Sequence, residues 1–219
     1  MKIKTLNLTL IPDRKVGVDA SKLRGFFATQ FNEYVLLHQH NCDKVIYSYP
    51  LVQYKILKGK PLVIGINEGS GVLQEIYNKC DIIRLANTTY EILERTVSVK
   101  EQEFGLSDKF YTYRFETPWF ALNQENFEKR YKRVSPVEQK ELLRRTLVGN
   151  ILSMSKSLGY TVPGQIKCET NVQPGVGKMK GVQIATFRGE FMVNFLIPDY
   201  FGLGKSVSRG FGTVKRCNS

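Results

Sequence analysis

The chain contains two histidines, His38 and His40, which lie two residues apart in the segment YVLLHQHN. In an extended segment, residues i and i+2 project to one face, so this spacing predicts two imidazoles converging on one group. Histidine titrates near neutral pH, which suits one ring to accept a proton and the other to donate one. Two other readings of the pair stand beside this one. Histidines also serve as packing or surface residues, and His-x-His recurs in metal sites. The metal reading lacks the rest of a coordination shell. There is no third histidine, and Cys42, Cys80, Cys168 and Cys217 form no Cys-x-x-Cys pair. Neither a metal nor any other cofactor is expected. Tyr47, in VIYSY, adds a phenol able to hold a hydroxyl or phosphate oxygen, although a tyrosine in such a run also packs sheets.

A second chemistry-bearing stretch closes the chain. Gly202, Gly204, Gly210 and Gly212 punctuate GLGKSVSRGFGTV together with Lys205 and Arg209, and no acidic residue follows Asp199. Glycines let a backbone approach a phosphate chain with its amides turned inward, and the two cations add charge to that concavity. A flexible hairpin with solvated charges is the alternative. Neither the P-loop spacing nor a GxGxxG turn between strand and helix is present, which argues against a nucleotide cofactor. The whole chain is basic, with 32 Lys and Arg against 20 Asp and Glu and a net charge of +12. Such a surplus favours a polyanionic partner, bound less tightly as salt rises.

These groups need elements to position them. The 219 residues, 42% hydrophobic and 24% charged, suffice for two modest domains with real cores. The amino terminus alternates like a strand instead of carrying an apolar signal segment. No run approaches a membrane span, so the expected compartment is the cytoplasm, with the cysteines reduced. Residues Lys2 to Ile11 read as a strand with Leu6, Leu8 and Leu10 on one face. A helix capped by Asp19 then carries Leu23, Phe26, Phe27 and Phe31. A strand from Val45, bent at Pro50, turns at Lys58-Gly59-Lys60-Pro61 into LVIGI. A short helix with Val72, Leu73, Ile76 and Tyr77 leads to DIIRLAN and a long strand-like run. The order β-α-β-β-α-β is the ferredoxin-like plan, with four antiparallel strands and two helices on one face.

The pattern breaks near Gly105 to Lys109, which predicts domains at 1–107 and 108–219. The second opens with the aromatic strand FYTYRFETPWFAL. Asn123 caps a short helix. Ser135, Pro136 and Glu138 form a capping box for a longer one, with core face Leu143, Leu147, Ile151, Met154 and Leu158, ended by Gly159. Strands and glycine-rich loops complete the chain. The charged run Lys129, Arg130, Lys132 and Arg133 reads as a solvated helix face.

The segment Gly202 to Val214 resembles the glycine-rich loop of the CRISPR-associated RAMP superfamily, and Lys22-Leu23-Arg24-Gly25-Phe26-Phe27 resembles its first helix. TPWFALNQENFEKRY and the His-x-His are similar to the precursor-processing endoribonucleases of the type I-B branch. The resemblance implies an α+β protein of two ferredoxin-like domains in tandem, the second less regular. It implies a metal-independent endoribonuclease that cuts CRISPR repeat RNA. In that chemistry a ribose 2′-hydroxyl attacks its phosphate, leaving a 2′,3′-cyclic phosphate and a 5′-hydroxyl. His38, His40 and Tyr47 are then the catalytic candidates. The RNA-binding candidates are Lys22, Arg24, Lys178, Lys180, Arg188, Gly202, Gly204, Lys205, Arg209, Gly210 and Gly212. No lysine maps onto the catalytic lysine that the family often adds. Pairing into a homodimer and association with interference-complex subunits are further implications. A non-catalytic RNA-binding subunit of such a complex is the chief alternative. A histidine phosphoesterase would need two His-x-Thr or His-x-Ser motifs, which are absent. A basic DNA-binding protein would not prefer RNA over matched DNA.

Overall fold

A computed structural model describes the backbone of every residue except Gln39, Cys42, Asp43, Ile46, Tyr47, Lys180, Asn218 and Ser219. The side chains of residues 38–47 also lie outside the description. The chain forms two compact units. One comprises Lys2–Gln102 with Val207–Gly210, and the other Met1, Glu103–Ser206 and Phe211–Ser219.

The first unit runs β1 (Lys2–Pro12), α1 (Ala20–Gln30), α2 (Val35–His38), β2 (His40–Asn41), β3 (Lys44–Val45), β4 (Val52–Leu57), β5 (Lys60–Ile66), α3 (Glu68–Ile76), β6 (Ile82–Leu85) and β7 (Thr88–Glu103). Alternation in β1 buries Leu6, Leu8 and Leu10 completely. The Asp19 carboxylate accepts the Ser21 amide at 2.9 Å to start α1, which buries Leu23 and Phe27. The β4–β5 hairpin turns at Lys58 and Gly59, both in the left-handed region with φ 53° and 82°, as a tight hairpin turn requires.

The strand order β4-β5-β1-β7-β6 contains the ferredoxin-like order, with β6 added at the edge. Five strands replace the expected four because DIIRLAN folds back on β7 as an antiparallel hairpin. Of the segment expected as one strand from Val45, Val45 ends β3, Ile46 and Tyr47 lie outside the described residues, and β4 starts at Val52, beyond Pro50, whose ring removes a ladder donor and restricts the residue before it.

The second unit runs β8 (Gly105–Phe115), α4 (Gln124–Lys129), a 3-10 turn at Tyr131–Arg133, α5 (Pro136–Ser157), β9 (Cys168–Met179), β10 (Val182–Leu196) and β11 (Val214–Arg216). Only Phe104 separates β7 from β8. The sheet order β11-β8-β10-β9, antiparallel throughout, repeats the ferredoxin-like order. At the start of α5 the Ser135 hydroxyl accepts the Glu138 amide while the Glu138 carboxylate accepts the Ser135 amide. This complete capping box opens a helix that buries Leu143, Leu147, Ile151 and Met154. A second crossover helix would fall between β10 and β11. The glycine-rich stretch occupies that position and contains only a 3-10 turn at Val207–Arg209. Among the described residues no helix is long and apolar enough to cross a membrane.

Candidate functional site

β4 is the outer strand of its sheet, yet Val52, Gln53, Tyr54 and Lys55 are each at most 1% exposed. The turn Val207–Gly210 folds with this unit and covers the strand. Gly210, at φ 90°, comes so near that a Cβ would stand 2.7 Å from the Ala20 Cβ at the start of α1 and 3.2 Å from the Tyr54 carbonyl oxygen. Glycine supplies both the left-handed backbone and the clearance.

Beneath the turn, the Lys55 Nζ donates to the Val207 carbonyl at 3.3 Å and to the Gln53 Oε1 at 3.0 Å. Both acceptors are neutral and the side chain is fully buried, so desolvation pushes the ammonium down to about 7. Arg24, half-buried on α1, has its guanidinium lowered by burial and then by the charge of Arg209 on the turn. Arg24 thus lies in the field of Arg209, and an anion entering beside them relieves that repulsion. Lys22 is exposed on the first turn of α1. A cationic cluster therefore forms where α1, β4 and the Val207–Gly210 turn meet.

The same strand bonds the residue that precedes His38. The Tyr54 hydroxyl donates to the Leu37 carbonyl at 3.1 Å, and its ring packs on Phe27 with centroids 5.6 Å apart. Burial raises the phenol far above its ordinary value, keeping it protonated as a donor. Leu37 immediately precedes His38. On the other side, the Tyr34 hydroxyl donates to the Glu75 carboxylate of α3 at 2.9 Å, and the Leu37 amide donates to the Tyr34 carbonyl.

His38 ends the α2 helix and His40 begins β2. One backbone is helical and the other extended, so the period-two argument for their convergence does not apply. Their side chains, and Tyr47 altogether, lie outside the described residues.

The rest of the glycine-rich stretch belongs to the second unit, where TPWFAL holds it. The Gly212 amide donates to the Pro118 carbonyl at 2.8 Å, Lys205 to Phe120 at 2.9 Å, and Leu203 to Gly212 at 2.9 Å. Gly202 bridges to Thr213. A Cβ on Gly212, at φ 63°, would stand 1.9 Å from the Leu203 carbonyl oxygen, and Gly204 packs against Trp119. These amides bond within the chain, and the glycines serve close packing of the chain on itself. This differs from the cradle of inward-turned amides expected for the stretch. The Lys205 side chain remains exposed, as do Lys178 on β9 and Arg188 on β10. Lys180 lies outside the described residues.

Of the expected cations, the structure brings Arg24 and Arg209 together and sets Lys178 and Arg188 on the β9–β10 hairpin. Tyr54, Lys55 and Gln53 escaped sequence reasoning. Period two in VQYKIL assigns Gln53 and Lys55 to a polar, solvated face, and their burial depends on a turn 152 residues further along. Among the described residues Cys80, Cys168 and Cys217 are free, and burial pushes the thiols of Cys80 and Cys168 up to about 11.

Comparison with known proteins places this geometry. The family model described as the Cas6b N-terminal domain matches residues 1–103, and that of the Cas6b C-terminal domain matches residues 105–217. A crystal structure of Cas6b is 39% identical, covers 99% of this chain and 100% of its own, and superposes with a TM-score of 0.91. A crystal structure of the CRISPR RNA processing endoribonuclease Cas6b is 38% identical over 99% of this chain and 100% of its own, with a TM-score of 0.80. An uncharacterised protein of Methanocaldococcus jannaschii is 44% identical over 135 residues, 61% of this chain and 91% of its own length. The chain belongs to the Cas6b family and is a CRISPR-associated, RAMP-like endoribonuclease.

Proposed function

We propose that this enzyme cuts repeat RNA within CRISPR precursor transcripts, without a metal ion, through His38 and His40. One imidazole takes the proton of the 2′-hydroxyl at the scissile nucleotide. The freed oxygen attacks the adjacent phosphorus, the bond to the 5′-oxygen breaks, and the other imidazole returns a proton to that leaving oxygen. The products are a 2′,3′-cyclic phosphate and a 5′-hydroxyl. Each transfer contributes typically ~10² to 10⁴ in rate, enough for a processing nuclease. Tyr47 is assigned to hold the 2′-hydroxyl or a phosphate oxygen.

The observation that carries this reading is that one strand, β4, bonds both the residue before His38 and the turn that bears Arg209, with Gly210 of that turn packed against the start of α1. Arg24, Arg209 and Lys22 bind the RNA backbone at the first unit, and Lys205, Lys178, Lys180 and Arg188 do so at the second. Gly202, Gly204, Gly210 and Gly212 act indirectly, by shaping the stretch that carries Lys205 and Arg209. The 38%-identical Cas6b, a CRISPR RNA processing endoribonuclease, supports the substrate. Free thiols suit a cytoplasmic site of action, with the histidines in the proposed domain 1–107 and the glycine-rich stretch in the proposed domain 108–219.

Labelled repeat RNA incubated in EDTA tests the assignment. Wild type should cut it, while His38→Ala and His40→Ala should each lose at least tenfold in single-turnover rate. A 2′-deoxy nucleotide before the scissile bond should block cleavage. Full activity in both histidine variants, or cleavage at the 2′-deoxy site, overturns the mechanism, and intact RNA with wild type in EDTA overturns its metal independence.

A further inference from the structure

The Leu37 carbonyl and the Arg209 turn are far apart in sequence, yet each accepts a side-chain hydrogen bond from one of two adjacent residues of one strand. Tyr54 donates to the Leu37 carbonyl, one residue before His38, and Lys55 donates to the Val207 carbonyl, two residues before Arg209. We propose that Tyr54 and Lys55 are positioning residues with separate duties, Tyr54 setting the segment that performs proton transfer and Lys55 setting the turn that grips the RNA backbone. The inference rests on the proposed function and adds to it residues that touch neither RNA nor the reacting atoms.

Neither residue is needed merely as filling. The Tyr54 ring already packs on Phe27, so its hydroxyl is separable from its bulk. An apolar side chain of lysine's length would fill the Lys55 site without the cost of burying an ammonium. What the two polar atoms add is direction. Tyr54 gives the Leu37 carbonyl a directed donor, and Lys55 adds a second donor to the Val207 carbonyl, which also accepts the Gly210 amide at 3.2 Å. The two side chains alternate across β4 and therefore act on different segments.

The test is a split between rate and affinity. Tyr54→Phe removes one oxygen and keeps the ring. It should slow single-turnover cleavage at saturating repeat RNA by about tenfold while changing the Kd for a 2′-deoxy, uncleavable repeat less than about twofold. Lys55→Met keeps the length and removes the donor. It should weaken that Kd by about tenfold, with the saturated rate changed by less than about threefold.

Lys55 acts through Arg209, so the loss should shrink to less than about twofold when both proteins already carry Arg209→Ala. An equal loss in the Arg209→Ala background overturns the Lys55 assignment, as does an unchanged Kd in a folded Lys55→Met protein. If Lys55→Met does not fold, Gln53→Leu removes one of the two acceptors while leaving the lysine. It should weaken binding by about threefold, and no loss overturns the assignment. Rate and affinity falling together in Tyr54→Phe overturns the Tyr54 assignment. Run beside these, fully active His38→Ala and His40→Ala proteins overturn the proposed function itself. Inactive histidine variants beside an unaffected Tyr54→Phe overturn this inference alone.

Discussion

The two units share one strand order and treat the same strand in opposite ways. β4 and β9 each lie at the edge of their sheets, next to the third strand of the pattern. β4 is buried from Val52 to Lys55, whereas β9 exposes most of its residues after Thr170. An uncovered edge invites pairing with another chain, and β9 answers with Pro174, Gly175 and Gly177, residues poorly suited to extend a sheet. β4 is instead covered by four residues from the glycine-rich stretch. In place of a second crossover helix, the second ferredoxin-like pattern therefore carries a segment that completes the first.

The sharpest break in that comparison comes at the glycines. Gly212→Ala places a Cβ 1.9 Å from the Leu203 carbonyl oxygen at a left-handed backbone, whereas on Gly175 of β9 the nearest atom to a Cβ is the Thr186 Oγ1 at 3.9 Å. Gly212→Ala should lower stability by about 2–4 kcal/mol through backbone displacement, and Gly175→Ala by less than about 0.5 kcal/mol. Urea midpoints at constant m-value decide it. Equal shifts would mean that the stretch is a loose hairpin.

Covering β4 also buries Lys55, which gives the first unit a stability that rises with pH, whereas the buried Cys168 thiol of β9, pushed up to about 11, acts in the opposite sense and only above the ordinary thiol range. The folded ammonium is pushed down to about 7 from 10.5. Between those values the unfolded chain holds a proton that the folded chain has released, so the contribution of this group to stability rises with pH through the window. It is complete above about 10.5 and is lost as pH falls to about 7. The slope is at most about 1.4 kcal/mol per pH unit. Denaturation of wild type and Lys55→Met at pH 7 and pH 9 should show the stability difference moving in favour of wild type by about 2 kcal/mol. A pH-independent difference would show that Lys55 titrates normally.

The local half of this architecture was legible in the sequence, and the long-range half was not. Leu6, Leu8 and Leu10 announce β1, and Ser135, Pro136 and Glu138 announce α5, because caps and periodicity act within a few residues. The glycine-rich stretch and His38-x-His40 stood out by residue type. Their geometry did not follow, since period two assumes one extended strand while His38 closes a helix. The fifth strand depended on a hairpin at Ala86, whose left-handed φ of 53° no sequence rule assigns to alanine. The burial of Lys55 was not legible because its cover arrives from Val207, and no local pattern records a contact that remote.

Arginines in the two regions should differ in the same sense. Arg209 is held on a turn anchored to β4 and close to Arg24, whereas Arg188 projects from the exposed face of β10. A pre-positioned cation loses less side-chain freedom on binding. Arg209→Ala should weaken repeat-RNA binding by about tenfold and Arg188→Ala by about twofold. Each should reduce the salt slope by about 0.7–0.9 if each meets one phosphate. Binding measured from low to high salt separates these. A larger loss for Arg188 would move the centre of RNA contact to the β9–β10 hairpin.

The smallest expected effect sharpens the comparison at the first crossover helices, α1 and α5. Both are capped by a side-chain oxygen, Asp19 in one and Ser135 in the other. Asp19 is also a charge, close in sequence to Lys22 and Arg24. Asp19→Asn keeps a good cap, so stability should change by only a few tenths of a kcal/mol, yet the local field becomes more positive. RNA affinity should rise by about twofold at low salt, with the gain disappearing as screening increases. Ser135→Ala should cost about 1 kcal/mol of stability and leave affinity unchanged. Asp19→Asn binding RNA no better than wild type at any salt would place the RNA away from the start of α1. The cationic cluster would then have to act through Arg209 alone.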